Sequence, residues 1–271
     1  MQYQDFGGFL QNVERVDNVQ YKMNPGLLPC AREPDSTPGA KLARDQGIES
    51  EMVACSGATV ENLLSQIDYI NTKFPEERAR DWSGSTIILT IGINSLKVIH
   101  DNVLLWVMLP AKCVLDIFRD CSEDPEFEIA NLEEVQEELR FAFQYLLLEA
   151  SEATIRVTSY VKPFQRGSQD CQAVGVNNAE ADFIDDRWFG LLNDALAEVI
   201  ADVKGNSTTD MEYVEVNSYV RVGACQKYRQ DVAVRGYDTS FPLPYSPVSY
   251  HPNQLGYDQC YAALVDSLPA R

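Results

Sequence analysis

Histidine is almost absent from this chain: His100 and His251 are the only two in 271 residues, which leaves no His-rich set for a catalytic zinc of the usual kind. Basic residues are scarce as well. Lys plus Arg number 22 against 41 Asp plus Glu, a formal net charge of −19. Such a polyanion is repelled by phosphate backbones and anionic lipid, which argues against nucleic acid or a membrane surface as partner. Long apolar runs are missing: the longest, residues 103–110 (VLLWVMLP), falls well short of the roughly 18–20 residues of a membrane span. No two cysteines form a C-x-x-C pair, against a zinc ribbon or a thioredoxin-type redox motif. A Gly-rich phosphate loop is missing too, so a binder of phosphorylated ligands has little support. Residues 1–10 (MQYQDFGGFL) have neither a basic n-region nor an apolar h-region, so no signal peptide is visible.

What is present reads as one globular domain over residues 1–271, with 45% hydrophobic and 23% charged residues. Seven cysteines, Cys30, Cys55, Cys113, Cys121, Cys171, Cys225 and Cys260, are widely scattered. They fit two or three disulfides with one thiol left over, and Asn206-Ser207-Thr208 would be a glycosylation acceptor in a secreted chain. Buried reduced cysteines of a cytosolic protein are the alternative.

Strands alternate with helices. Residues 86–91 (TIILTI) form a β-branched apolar run of buried-strand type, and 154–160 (TIRVTSY) and 212–217 (EYVEVN) alternate like further strands. A shorter strand is expected to end at Val53-Ala54. Leu132, Val135, Leu139, Ala142 and Leu146 lie at helical spacing, with Asn131 and Glu134 placed as an N-cap and its partner. Trp188, Leu192, Ala195, Val199 and Val203 mark another helix; Val60, Leu63, Leu64, Ile67 and Ile70 an earlier one; Leu255, Tyr261 and Leu264 a last one. Residues 164–182 read as a polar loop and 235–250 as an irregular, Pro- and aromatic-rich segment. The alternation predicts an α/β fold with a mostly parallel sheet covered on both faces.

Such sheets carry their chemistry in loops beyond the carboxyl ends of the strands, where three motifs fall in order. The first, residues 54–59 (ACSGAT), joins a strand to a helix through small residues, so that backbone N–H groups at a helix start can face a ligand oxygen; a purely structural turn is the other reading. In the second, Gly92-Ile93-Asn94, an Asn amide directly after a strand can donate to a developing oxyanion, an interaction contributing roughly 3 kcal/mol. The bland alternative is that Asn94 caps the next segment. The third, residues 249–253 (SYHPN), sets His251 on a loop before the last helix, which suits a general base near neutral pH; alternatively His251 is a surface residue and Asn253 simply the N-cap.

Together, in this order and context, the three blocks resemble those of the SGNH (GDSL-type) hydrolases, particularly the secreted, disulfide-containing esterases and lipases, over about residues 30–263. The resemblance implies a flavodoxin-like three-layer sandwich. It implies a serine ester hydrolase in which a Ser attacks an acyl carbonyl, His251 takes its proton, Gly57 N–H and Asn94 hold the oxyanion, and water releases the acyl group. A main-chain carbonyl of Val248 or Ser249 would orient the imidazole, and Phe241, Leu243 and Tyr245 would form an acyl-binding wall. Neither metal nor cofactor is required. The substrate would be a small-molecule, lipid or glycan ester, the expected state is a monomer, and the expected location is extracellular. Cys30 and Cys55 occupy places where such enzymes often form their first disulfide.

This sequence departs from the family in several places. Its nucleophile belongs to a Gly-Asp-Ser block at the end of a first strand, and residues 1–29, atypical for the family, contain neither. Asp35-Ser36 is the nearest imitation, with Pro34 in place of the Gly and no apolar strand before it, so the nucleophile is unassigned and the chain as written is expected to be inactive. Without an internal first strand the sheet would expose unpaired edges and apolar core. An N-terminally incomplete gene model would account for the absent strand, signal peptide and nucleophile together. Ser95 replaces the Asp of G-x-N-D, Val248 stands where many members have an orienting Asp, and residues 100–120 resemble an insertion whose Cys113 would explain the odd cysteine count. A non-catalytic relative that keeps the fold and binds an ester, glycan or protein partner is the rival reading.

Overall fold

The computed structural model describes residues 37–54, 58–100, 103–106, 129, 131–165, 167, 170–172, 176–205, 207–226, 232–234 and 252–269. The apolar run after Ser85 forms β1 (Thr86–Leu89), followed by a β-hairpin of β2 (Lys97–His100) and β3 (Val103–Trp106). Later come β4 (Thr154–Thr158) and β5 (Asp210–Val214). Strands β1, β4 and β5 make a parallel sheet in the order β1-β4-β5, with Ile155 opposite Ile87 on one side and Met211 on the other. The hairpin straddles the start of the stretch read as an insertion, β2 ending where that stretch begins at His100.

Helices α1 (Pro38–Gln46), α2 (Val60–Lys73), α3 (Leu132–Glu149), α4 (Asn178–Phe183), α5 (Leu191–Lys204) and α6 (Gln254–Ser267) surround the sheet. Their apolar spacing decides the layers. Leu63 and Ile67 of α2, Val135, Leu139 and Phe143 of α3, and Leu192, Leu196 and Val199 of α5 share one core with Ile155 and Val157. Arg156 lies between those two strand residues and so projects from the opposite face, where its Nε donates to the Ser267 carbonyl of α6 at 3.0 Å. Helix α1 packs beside α6 through Lys41 Nζ to Asp258 Oδ1 at 2.7 Å and Tyr261 O–H to Asp45 Oδ2 at 2.6 Å. The architecture is thus the expected three-layer α/β sandwich.

Sequence and structure differ at several points. Residues 51–54 form no strand; Met52 and Val53 are only half-buried and Glu51 and Ala54 exposed, so the segment has no apolar face for sheet packing. The run 86–91 is not fully buried: Ile87, Ile88 and Leu89 are half-exposed, because no described strand pairs with the other edge of β1. Strand β5 starts and ends earlier than read, since Glu215 accepts from the N–H groups of Asn217 (2.7 Å) and Ser218 (2.8 Å) and turns the chain. Within the predicted polar loop, α4 is nucleated by an Asn177–Glu180 capping box, Glu180 N–H to Asn177 Oδ1 at 2.9 Å and Asn177 N–H to Glu180 Oε2 at 2.7 Å. Asn131 is the N-cap of α3, but its side chain makes no cap hydrogen bond and reaches Ser95 instead.

A second apolar cluster lies past the ends of β4 and β5, with Phe164, Trp188, Val216, Val220 and Ala263 around a Cys171–Cys225 disulfide. Cys260 is a buried free thiol. Cys30, Cys55, Cys113 and Cys121 lie outside the described residues.

Candidate active site

The carboxyl end of β1 turns sharply at Gly92. Its φ of 124° is open to glycine and strained for L side chains, and an added Cβ would approach Leu192 Cδ1 at 3.2 Å. The 3₁₀ turn Ile93–Ser95 follows, closed by Ser95 N–H to the Gly92 carbonyl at 2.9 Å. Four bonds then fix this turn. Ile93 N–H donates to Tyr160 Oη at 3.1 Å, Asn94 Nδ2 donates to the Ala58 carbonyl at 3.0 Å, Ser95 Oγ accepts from Val60 N–H at 2.9 Å, and the Ser95 carbonyl accepts from Asn131 Nδ2 at 3.0 Å. The Asn94-bearing turn is therefore stitched to the start of α2. Asn94 does not cap a following helix; its amide binds across to the neighbouring motif.

An Asn amide nitrogen carries two N–H groups. One orients the side chain on Ala58, and the other has no acceptor among the described residues, at a position that is half-exposed. That is the arrangement an oxyanion donor needs: fixed in direction before a ligand arrives, with a hydrogen still to give.

Behind the turn, Tyr160 follows the end of β4. Asn193 on α5 holds it through Tyr160 N–H to Asn193 Oδ1 at 2.8 Å and Asn193 Nδ2 to the Tyr160 carbonyl at 2.9 Å. Burial raises the Tyr160 phenol above its ordinary pKa, the Ile93 N–H only partly opposing it, so Tyr160 remains neutral. Farther along, the π-helical stretch Ile184–Gly190 presents Asp185, 6% exposed, to the loop after β4. Its Oδ1 accepts from Phe164 N–H at 3.1 Å and its Oδ2 from Gln165 N–H at 2.7 Å. Burial pushes this carboxyl up to about 7 against the pull of those two N–H groups and Lys162, with Asp186 adding to the rise. The same loop meets residues 223–225 so closely that a Cβ on Gly223 would lie 2.0 Å from the Phe164 carbonyl oxygen.

Of the site residues read from sequence, Asn94 is placed, beside Ala58 and the start of α2. Gly57, His251, Ser36, Val248, Ser249, Phe241, Leu243 and Tyr245 lie outside the described residues. The chain on the far side of His251 is firmly held: Pro252 bridges to Val234, and Asn253 caps α6 by accepting from Gly256 N–H at 3.1 Å while donating to the Val232 carbonyl at 2.6 Å. The N-cap reading of Asn253 is therefore correct, and it leaves the role of His251 untouched. Sequence reasoning missed Tyr160, Asn193 and Asp185, and it noted Ser95 and Asn131 only as a motif departure and an N-cap. Asn193 carried a signal, a polar residue next to Leu192 on a helix otherwise apolar toward the core. Among the described residues no group of three or more His, Cys, Asp or Glu is placed to hold a metal, and no helix is long and apolar enough to cross a membrane.

A parallel β1-β4-β5 sheet between helical layers, with an Asn turn at the end of β1 bonded to the start of the preceding helix, is an SGNH hydrolase-like fold. No protein-family model and no curated protein matches the chain. Solved structures do: phospholipase A1 from Streptomyces albidoflavus superposes with a TM-score of 0.63 at 18% identity, over 88% of each chain. An extracellular lipase from Streptomyces rimosus gives 0.63 at 17% identity, over 86% of this chain and 87% of that one. At these identities the likeness is one of fold.

Proposed function

We propose that this chain carries the ester-binding site of an SGNH-type serine hydrolase. The observation that carries the reading is the Asn94 amide, oriented by the Ala58 carbonyl at 3.0 Å with no acceptor for its second N–H among the described residues. In this reading the Gly57 N–H is the second oxyanion donor, His251 is the base with its imidazole held by the Val248 or Ser249 carbonyl, and Phe241, Leu243 and Tyr245 line the acyl side. The lipase and phospholipase neighbours support a lipid or other ester as substrate. The Cys171–Cys225 disulfide and the extracellular lipase neighbour support an extracellular location. No Gly-Asp-Ser triplet occurs in the 271 residues, so these residues by themselves bind the ester without turning it over. The same observation favours the second reading, a non-catalytic relative that keeps the cleft for a ligand.

Calorimetric titration with octanoate, the carboxylate an octanoyl ester releases, tests the site. Saturable binding lost in Asn94→Ala is expected; no binding, or binding indifferent to the substitution, overturns the proposal. Fluorophosphonate labelling with peptide mapping tests the nucleophile. No labelled serine is expected within these residues, and label on Ser36 would place the nucleophile there.

A further inference from the structure

The structure assigns Ser95 as the positioning residue that holds the Asn94 turn, and with it the Asn94 amide, against the start of α2. The inference rests on the ester-site reading above and names a residue that reading does not use.

Helix α2 begins with Thr59 as N-cap, and the first N–H groups of a helix have no partner within it. The Asn62 and Leu63 N–H groups are satisfied locally by the Thr59 carbonyl at 3.0 and 3.3 Å. Val60 N–H is different. Val60 is 2% exposed, out of reach of water, and its N–H finds its acceptor 35 residues away in the Ser95 hydroxyl at 2.9 Å. Ser95 is itself 6% exposed, and Asn131 Nδ2 holds its backbone carbonyl at 3.0 Å, which anchors the main chain that carries the acceptor.

The adjacent residue makes the parallel link in the other direction, Asn94 Nδ2 to the Ala58 carbonyl at 3.0 Å. Two consecutive residues of one turn thus grip positions 58 and 60 of the other. One bond alone would leave the turns free to pivot about it; two fix distance and angle together. The same pair of bonds sets both the aim of the Asn94 amide and its distance from the start of α2. Ser95 touches no substrate in this arrangement. It acts through Val60 on the geometry of its neighbours, and oxyanion donors are sensitive to misplacement of about an ångström.

The test titrates octanoate into four folded proteins: wild type, Ser95→Ala, Ser95→Cys and Ser95→Thr, each checked for the same far-ultraviolet circular dichroism. Removing the acceptor in Ser95→Ala weakens binding about tenfold, the equivalent of one lost hydrogen bond. Ser95→Cys keeps the size but offers a poor acceptor and follows Ser95→Ala, which keeps the test valid if the alanine variant does not fold. Ser95→Thr keeps the hydroxyl and binds within about twofold of wild type. Binding by Ser95→Cys equal to wild type, or failure of Ser95→Thr to restore it, overturns the assignment. If wild type binds no octanoate, or Asn94→Ala binds as well as wild type, the ester-site reading itself fails. Loss in Asn94→Ala with no loss in Ser95→Ala defeats the role of Ser95 alone.

Discussion

Replacing Asp185 by asparagine should remove a pH dependence of stability, changing stability little at pH 4 and much more at pH 8. The Asp185 carboxyl, 6% exposed, is pushed by burial from an ordinary 3.8 up to about 7. For an acid whose folded value is raised, the native state holds a proton that the unfolded chain has already lost between those two values. Native Asp185 then binds more protons than unfolded Asp185, and stability falls as pH rises across that window. At about 1.4 kcal/mol per unit, the three-unit rise amounts to roughly 4 kcal/mol, present in full below pH about 4 and gone above pH about 7. The amide of Asp185→Asn cannot ionise. At pH 4 the two proteins should differ by about 1 kcal/mol, because a protonated carboxyl and an amide each offer one good acceptor to the paired N–H groups of Phe164 and Gln165. At pH 8 the balance should have moved by roughly 4 kcal/mol in favour of the variant. Urea unfolding followed by tryptophan fluorescence at unit steps from pH 4 to pH 8 reads both curves. Parallel curves would refute the reasoning, because they would mean that Asp185 titrates alike in the folded and unfolded chain.

A second prediction concerns Arg156, 2% exposed on the central strand. Its guanidinium donates to three main-chain carbonyls, of Ile155 (3.0 Å), Asp210 (3.2 Å) and Ser267 (3.0 Å), and to the Asp210 carboxylate. Arg156→Met should lower unfolding stability by about 3–5 kcal/mol, whereas Asp210→Asn, at a side chain 45% exposed, should lower it by less than about 1 kcal/mol. Equal effects in urea unfolding would show that the ion pair with Asp210, rather than the carbonyl hydrogen bonds, carries the contribution of Arg156.

Periodicity in the sequence was enough to find the strands at 86 and 154 and the helices from Val60, Leu132 and Gln254, because apolar side chains recur there at the spacing the core demands. Burial of Arg156 was not legible. In TIRVT it stands where alternation predicts a solvated face, and the carbonyls of Ile155, Asp210 and Ser267 with the Asp210 carboxylate make its burial tolerable. The position of Asn94 after β1 was legible from G-I-N following an apolar run. Its neighbour Ser95 appeared only as a departure from a motif, since an acceptor for an N–H group 35 residues away leaves no local pattern. The same holds for Asp185, whose two N–H donors lie 20 and 21 residues upstream. Turn chemistry at 215–218 was written in Glu215-Val216-Asn217-Ser218, but the alternation of the preceding strand masked it.

The role of Asn94 is tested most directly by its own side-chain amide resonances in isotope-labelled protein titrated with octanoate. One of the two protons is held by the Ala58 carbonyl at 3.0 Å and the other has no acceptor among the described residues. As octanoate saturates, the unspent proton should move strongly downfield while its partner stays nearly still, as expected when one new hydrogen bond forms to an already oriented amide. If both protons stay in place while octanoate binds elsewhere, or if octanoate does not bind at all, Asn94 is not an oxyanion donor and the ester-site account is wrong.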